Sequence, residues 1–125
     1  MTENEIASVI VDASYKVHTA LGPGLLESVY EAVLTYELEQ RKMLVCRQMM
    51  LPVIYESVLL DEGYRADIVV GNKVIIELKS VEKIIPVHTK QLLTYLRLSR
   101  MKLGLLINFG DNLIKDGITR VVNGL

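Results

Sequence analysis

Apolar residues recur at helical spacing from the start of the chain: Ile6, Val9, Ile10, Ala13, Val17 and Leu21 share one face of a 3.6-residue repeat. Thr2-Glu3-Asn4-Glu5 ahead of them has the form of a capping box. A first helix to about Ala20 is therefore predicted, broken by Leu21-Gly22-Pro23-Gly24. A second starts near Gly24 and carries Leu26, Val29, Val33 and Tyr36 or Glu37 round to about Gln40. After Arg41-Lys42 the pattern becomes strand-like from Leu44 to Tyr55, with Pro52 marking an edge or a bulge. A meander is expected to continue through Val58-Leu59-Leu60 and to turn at Asp61-Glu62-Gly63.

From Tyr64 to Ser80 the chain reads YRADIVVGNKVIIELKS. Ile68-Val69-Val70 and Val74-Ile75-Ile76 flank Gly71-Asn72-Lys73, and β-branched runs about a small turn predict a hairpin. All the flanking positions are apolar, so both faces of the ribbon are covered and its strands are central. Register then decides what the outer ends do, because directly opposed residues of an antiparallel pair share a face. A two-residue loop at Gly71-Asn72 would leave Asp67 and Glu77 on opposite faces. A three-residue loop sets Val70 against Val74, Asp67 against Glu77 and Arg65 against Lys79, and is the register expected.

Beyond the hairpin, Pro86 is placed to open a third helix. Gln91 and Tyr95 lie on it one turn apart and on one face. Leu103 to Phe109 is a short apolar run closed by Gly110-Asp111, which predicts a buried strand reached by a helical crossover. Ile118 to Val122 predicts a last short strand. Helices and strands alternating in this way predict an α/β sandwich, a mixed sheet of four or five strands flanked by helices, in one domain over residues 1–125.

The open end of the hairpin carries the candidate chemistry. Two carboxylates about 4 Å apart repel by about 4 kcal/mol at an effective dielectric of 20, so a facing Asp67 and Glu77 need a proton, a cation or a metal ion. Lys79 shares a face with Glu77 and supplies part of that charge. A hard divalent ion supplies more, and two carboxylates with the Leu78 main-chain carbonyl are a donor set that magnesium accepts while keeping several waters. Such an ion polarises a phosphate oxygen and generates hydroxide from water, while the nearby ammonium orients that water or stabilises developing charge. The same letters also fit an ordinary salt bridge at a hairpin end.

Composition narrows the field. A chain of 125 residues, 50% of them hydrophobic, can own a core, yet no uninterrupted apolar run approaches the roughly 20 residues that span a bilayer. The start MTENEIASV lacks the basic region of a secretory signal. Cys46 is the single cysteine, which excludes an internal disulfide and a cysteine-rich zinc site; a cytoplasmic location is the expectation. The net charge of −1 suits bulk attraction to nucleic acid poorly. Its distribution suits it better: residues 1–40 hold seven acids and one base, whereas Lys79, Lys83, Lys90, Arg97, Arg100 and Lys102 face Glu82 alone between positions 79 and 102. Lys90 and Arg97 are candidate phosphate contacts on that stretch, and a solvated helix face is the plainer reading of the same charges.

Asp67 followed by Glu77-Leu78-Lys79 resembles the signature of the PD-(D/E)XK nuclease superfamily, with Ala66 where the superfamily name has proline. Gly24-Leu25-Leu26-Glu27-Ser28-Val29-Tyr30 is similar to the motif that names its GxxExxY branch, and the likeness runs from about Ile6 to Asn123. Gln91-Leu92-Leu93-Thr94-Tyr95 resembles the QxxxY element of RecB-like members. The resemblance implies a restriction-endonuclease-like fold and metal-dependent hydrolysis of phosphodiesters in nucleic acid, DNA ahead of RNA. It implies Asp67, Glu77, Leu78 and Glu27 around Mg²⁺ or Mn²⁺, with Lys79 and Gln91 completing the catalytic set. Tyr30 and Tyr95 join Lys90 and Arg97 as substrate contacts. On the residues alone, Glu27 is equally a first-turn acid facing a helix dipole, Tyr30 a core tyrosine and Gln91 a surface side chain. The competing function is a non-catalytic module on the same fold that binds nucleic acid or protein, which the single Phe and absent Trp support; a homo-oligomer would need a broad apolar surface.

Overall fold

The computed structural model describes the backbone of residues 1–125 and every side chain except that of Glu62. Two helices lead the chain, α1 (Glu3–Leu21) and α2 (Glu27–Gln40), followed by strands β1 (Val45–Tyr55), β2 (Val58–Val70) and β3 (Val74–Lys79). Helix α3 (Pro86–Ser99) crosses over to β4 (Leu103–Asn108), and the short α4 (Ile114–Gly117) leads into β5 (Ile118–Val122). The strands form one sheet in the order β1-β2-β3-β4-β5, with β3 and β4 parallel and every other neighbour antiparallel. This is the mixed, helix-flanked α/β sheet expected.

The local signals in the sequence explain most of these boundaries. Thr2 and Glu5 make the reciprocal bonds of a capping box, Thr2 N–H to Glu5 at 2.9 Å and Glu5 N–H to Thr2 Oγ1 at 3.2 Å. Helix α2 starts three residues later than expected, because Gly24 has φ +103 and Leu26 remains extended as its N-cap. At the start of α3 the imidazole Nδ1 of His88 accepts the Ile85 N–H at 3.3 Å. Among the described residues no helix is long and apolar enough to cross a membrane.

One predicted turn is absent. Asp61-Glu62-Gly63 lies inside β2, which runs unbroken for 13 residues while β1 accompanies it from Val45↔Val70 to Tyr55↔Val58. The glycine is there for a close approach: a Cβ at Gly63 would stand 2.0 Å from the Leu51 carbonyl oxygen. That contact adjoins Pro52, where the β1–β2 register shifts between Leu51 and Val53, so the bulge expected at the proline is present.

The core has two parts, one on each face of the sheet. Helices α1 and α2 lay Ile6, Ile10, Val17, Tyr30, Leu34 and Leu38 over one face of β2, β3 and β4, among them Ile68, Ile76 and Leu105. Helix α3 covers the other with Leu92 and Leu96 against Val69, Ile75 and Leu106. Gly104 lets it settle, since a Cβ there would meet Leu92 at 2.9 Å. With both faces covered, the continuous apolar runs of β3 and β4 are accounted for.

Buried Asn108, at the end of β4, fixes the chain that leaves β3. Its Oδ1 accepts from Val81 N–H at 3.0 Å and Gly110 N–H at 3.1 Å, and its Nδ2 donates to the Val81 carbonyl and to Asp111, both at 2.9 Å. Truncation to alanine leaves these buried groups without partners. Asn108→Ala is expected to lower unfolding free energy by about 2–4 kcal/mol, read as a drop in the urea midpoint.

Candidate active site

The β2–β3 hairpin pairs Val70 with Val74, Val69 with Ile75 and Ile68 with Ile76, the register of the three-residue loop. There the ladder stops. Asp67, the next residue of β2, reaches across with its side chain, and its Oδ2 accepts the Leu78 N–H at 2.8 Å. A carboxylate thus stands where a strand carbonyl would have been. The two acids converge at this opening, but Arg65 does not follow them to Lys79. It is exposed and sits opposite Met50 of β1, because the ribbon has already parted from β3.

The main chain adds an acceptor at the same place. N–H and C=O of one strand residue project to the same side, and the Leu78 N–H is directed at Asp67. Its carbonyl therefore also faces the β2 side, beyond the last β2–β3 pair. Lys79 is turned the other way, its carbonyl accepting from Phe109 N–H at 2.9 Å.

Glu77 is the electrostatically unusual residue. Its Oε1 is buried and has no hydrogen-bond partner among the described residues. Burial first, and then the Asp67 charge, push its carboxyl up to about 9, with the ammonium of Lys79 acting weakly the other way. Without a metal the group carries a proton at neutral pH. Two acids, one of them holding a buried oxygen with nothing to bind, and a free strand carbonyl fit a small divalent cation that keeps waters in its remaining positions.

The side of the site formed by α3 is a stacked pair of tyrosines. The rings of Tyr64 and Tyr95 lie 3.6 Å apart at 9°, and Tyr64 Oη donates to the Tyr95 carbonyl at 2.9 Å. Burial raises the hydroxyl of Tyr64 to about 12; that of Tyr95 is raised by burial and then by the charges of Glu77 and Asp67. The stacked pair thus lies within electrostatic reach of the acids. Lys90, Gln91 and Arg97 are exposed on the same helix, and neither cation is paired with an acid among the described residues.

Glu27 and Tyr30 behave differently from the expectation. Glu27 is exposed at the first position of α2, and among the described residues no group of three or more His, Cys, Asp or Glu side chains converges as a metal site. It is not part of a ready cluster with Asp67 and Glu77. Tyr30, expected at the substrate, is fully buried and stacked on Phe109 at 4.4 Å. Its hydroxyl donates to the Gly22 carbonyl at 2.5 Å and accepts from Leu25 N–H at 3.2 Å. The tyrosine anchors the loop before α2. Ser80 ties that loop to the end of β3 through a 2.6 Å bond to the Leu25 carbonyl, so Glu27 is held at the sheet end where Lys79 lies.

Two features had no sequence signal. Tyr64 meets Tyr95 across 31 positions. Gln48 stands opposite Asp67 in the β1–β2 register and takes a left-handed backbone, φ +50, with its Nε2 donating to Glu31 at 2.6 Å. Arg47 binds the other Glu31 oxygen at 2.9–3.0 Å. Such a backbone costs on the order of 1 kcal/mol, and here the buried Glu31 holds it in place. A groove of about 690 Å³ beside Ala7, Val11, Tyr15 and Arg120 contains none of the candidate residues.

A model of the PD-(D/E)XK nuclease superfamily matches residues 4–121. No curated protein and no solved structure matches the chain.

Proposed function

The chain belongs to the PD-(D/E)XK nuclease superfamily, and from that premise we propose that it is a metal-dependent phosphodiesterase of nucleic acid, DNA ahead of RNA, in the GxxExxY branch. Residues 1–125 act as one domain, in the cytoplasm. The observation that carries the reading is the buried, partnerless Glu77 oxygen facing Asp67 at the split in the hairpin. Asp67, Glu77 and the Leu78 carbonyl hold Mg²⁺ or Mn²⁺, and Glu27 assists through water from the neighbouring helix end. The bound ion supplies charge stabilisation at the scissile phosphate and acidifies a water.

The chain's own side chains do the rest. Lys79 orients the attacking water and offsets the negative charge that builds on the phosphate. Gln91 steadies substrate against the acids from one turn before Tyr95. Lys90 and Arg97, seven residues apart on α3 and hence two turns along one face, meet flanking phosphates as unpaired cations. Tyr95, beside the acids, borders the reacting group; Tyr30 acts from below by fixing the loop that carries Glu27.

A second reading, a module that binds nucleic acid without cutting it, draws on the absence of a three-acid cluster among the described residues and on the net charge of −1. Incubation of single-stranded and duplex DNA and RNA with Mg²⁺ or Mn²⁺ separates the two. The nuclease reading expects cleavage that chelation stops and Glu77→Ala does not support. Metal-insensitive retention of intact strands would establish the module instead.

A further inference from the structure

β3 pairs with β2 only from Ile68 to Val70, so the β1–β2 ribbon outward of Leu51 and Tyr64 runs on without a third strand. In that run Ile54, Tyr55, Val58 and Leu59 are half or more exposed and Leu60 more than a third, with Met50 just inward of it nearly half exposed. Register puts Ile54 with Leu59 on one face and Tyr55 with Val58 on the other, so neither face is a polar one. A two-stranded ribbon alone is marginal in water, and this one leaves apolar side chains on both sides.

We propose that the ribbon is the surface on which a second copy of the chain docks, the two ribbons packing side chain on side chain about a two-fold axis. The uncovered apolar side chains amount to on the order of 600 Å² over the two faces together, so a contact through one face gives about half of that, well under the roughly 800 Å² each partner gives to a standard interface, and the association is a weak one.

The chemistry of the occupant follows from what the ribbon lacks. Residues 48–64 contain no Lys or Arg but hold Glu56, Asp61 and Glu62, and with Arg100 of α3 as the cation that borders Ile54 the ribbon offers a polyanion little attraction. An added peptide strand needs an unbroken edge. β1 offers an edge interrupted by left-handed Gln48 and by the shift at Pro52, which has no N–H to give. An apolar surface repeated about a two-fold axis is complementary to itself. Antiparallel overlap also brings Glu56 at one ribbon's tip toward the base of the other, where Arg65 stands exposed.

Sedimentation velocity on the full chain from about 1 to 100 µM, the range in which a modest interface associates, tests this. The wild type is expected to move toward twice the 14.1 kDa chain mass as concentration rises. Leu59→Lys and Tyr55→Lys, both at exposed positions, are expected to stay at single-chain mass with unchanged far-UV circular dichroism. Leu113→Lys, exposed elsewhere on the molecule, is expected to dimerise as the wild type does. A wild type of single-chain mass throughout, ribbon variants that still dimerise, or loss of the dimer in Leu113→Lys would overturn the proposal. None of these outcomes depends on whether the protein cuts nucleic acid.

Discussion

Glu77→Gln is expected to make the metal-free protein more stable at alkaline pH and to remove its response to Mg²⁺. The sign follows from the raised carboxyl. Between its ordinary value of 4.5 and about 9 the folded protein keeps a proton on Glu77 that the unfolded chain has released. Unfolding then releases a proton, so stability is fully present below the unfolded value and is lost as pH rises through the folded one. The slope approaches about 1.4 kcal/mol per pH unit where the difference is a whole proton. Glutamine has nothing to titrate, and this part of the pH dependence disappears with it.

On the proposed metal-site reading, metal is expected to reverse the balance in the wild type. A divalent ion at about 100 times its dissociation constant adds about 2.7 kcal/mol if it binds only the folded state. Its binding displaces the proton of Glu77, so the shift should grow from pH 6 toward pH 9. Melting curves of wild type, Glu77→Gln and Asp67→Ala across that range, with and without Mg²⁺, check both statements together. A wild type whose midpoint ignores pH and metal alike would remove the metal-site reading, whatever its activity.

Lys79→Ala is expected to reduce single-turnover cleavage by about 10²–10⁴-fold, the range typical of a group that positions a proton or stabilises charge in the transition state. The thermal shift with metal should remain, because the ammonium is not a ligand. Asp67→Ala should lose both, since it removes a proposed ligand and frees the Leu78 N–H that its Oδ2 holds. The split between the two variants is the informative result. Undiminished cutting by Lys79→Ala would withdraw that residue's role while leaving the acid pair in place.

The hairpin shows why part of this site can be read from letters. A three-residue loop between β-branched runs is a local instruction, and it fixed the Val70↔Val74 register and with it the meeting of Asp67 and Glu77. The same alternation does not carry Arg65 to Lys79. Alternation continues in the sequence past Ala66, whereas in the molecule β2 leaves β3 at Asp67, across from a backbone distortion at Gln48 held by Glu31, 17 residues earlier in the chain. The Asp61-Glu62-Gly63 turn failed for a related reason: glycine serves a bend or a close approach equally well, and only Leu51 across the ribbon shows which.

Periodicity, caps and punctuation therefore determined the helices, the strand pairing of the hairpin, the α/β class and the candidate acids, because each depends on residues within a turn or two of one another. Tertiary packing alone decided that Tyr30 would be a buried anchor, that Tyr64 and Tyr95 would stack, and that Glu77 would keep an oxygen without a partner among the described residues. It also left the far end of the ribbon uncovered. Those outcomes depend on which surfaces are dry and which groups meet across 30 or more positions, and the free energy of burying a charge or an apolar side chain is set by that surrounding and not by its neighbours in the chain.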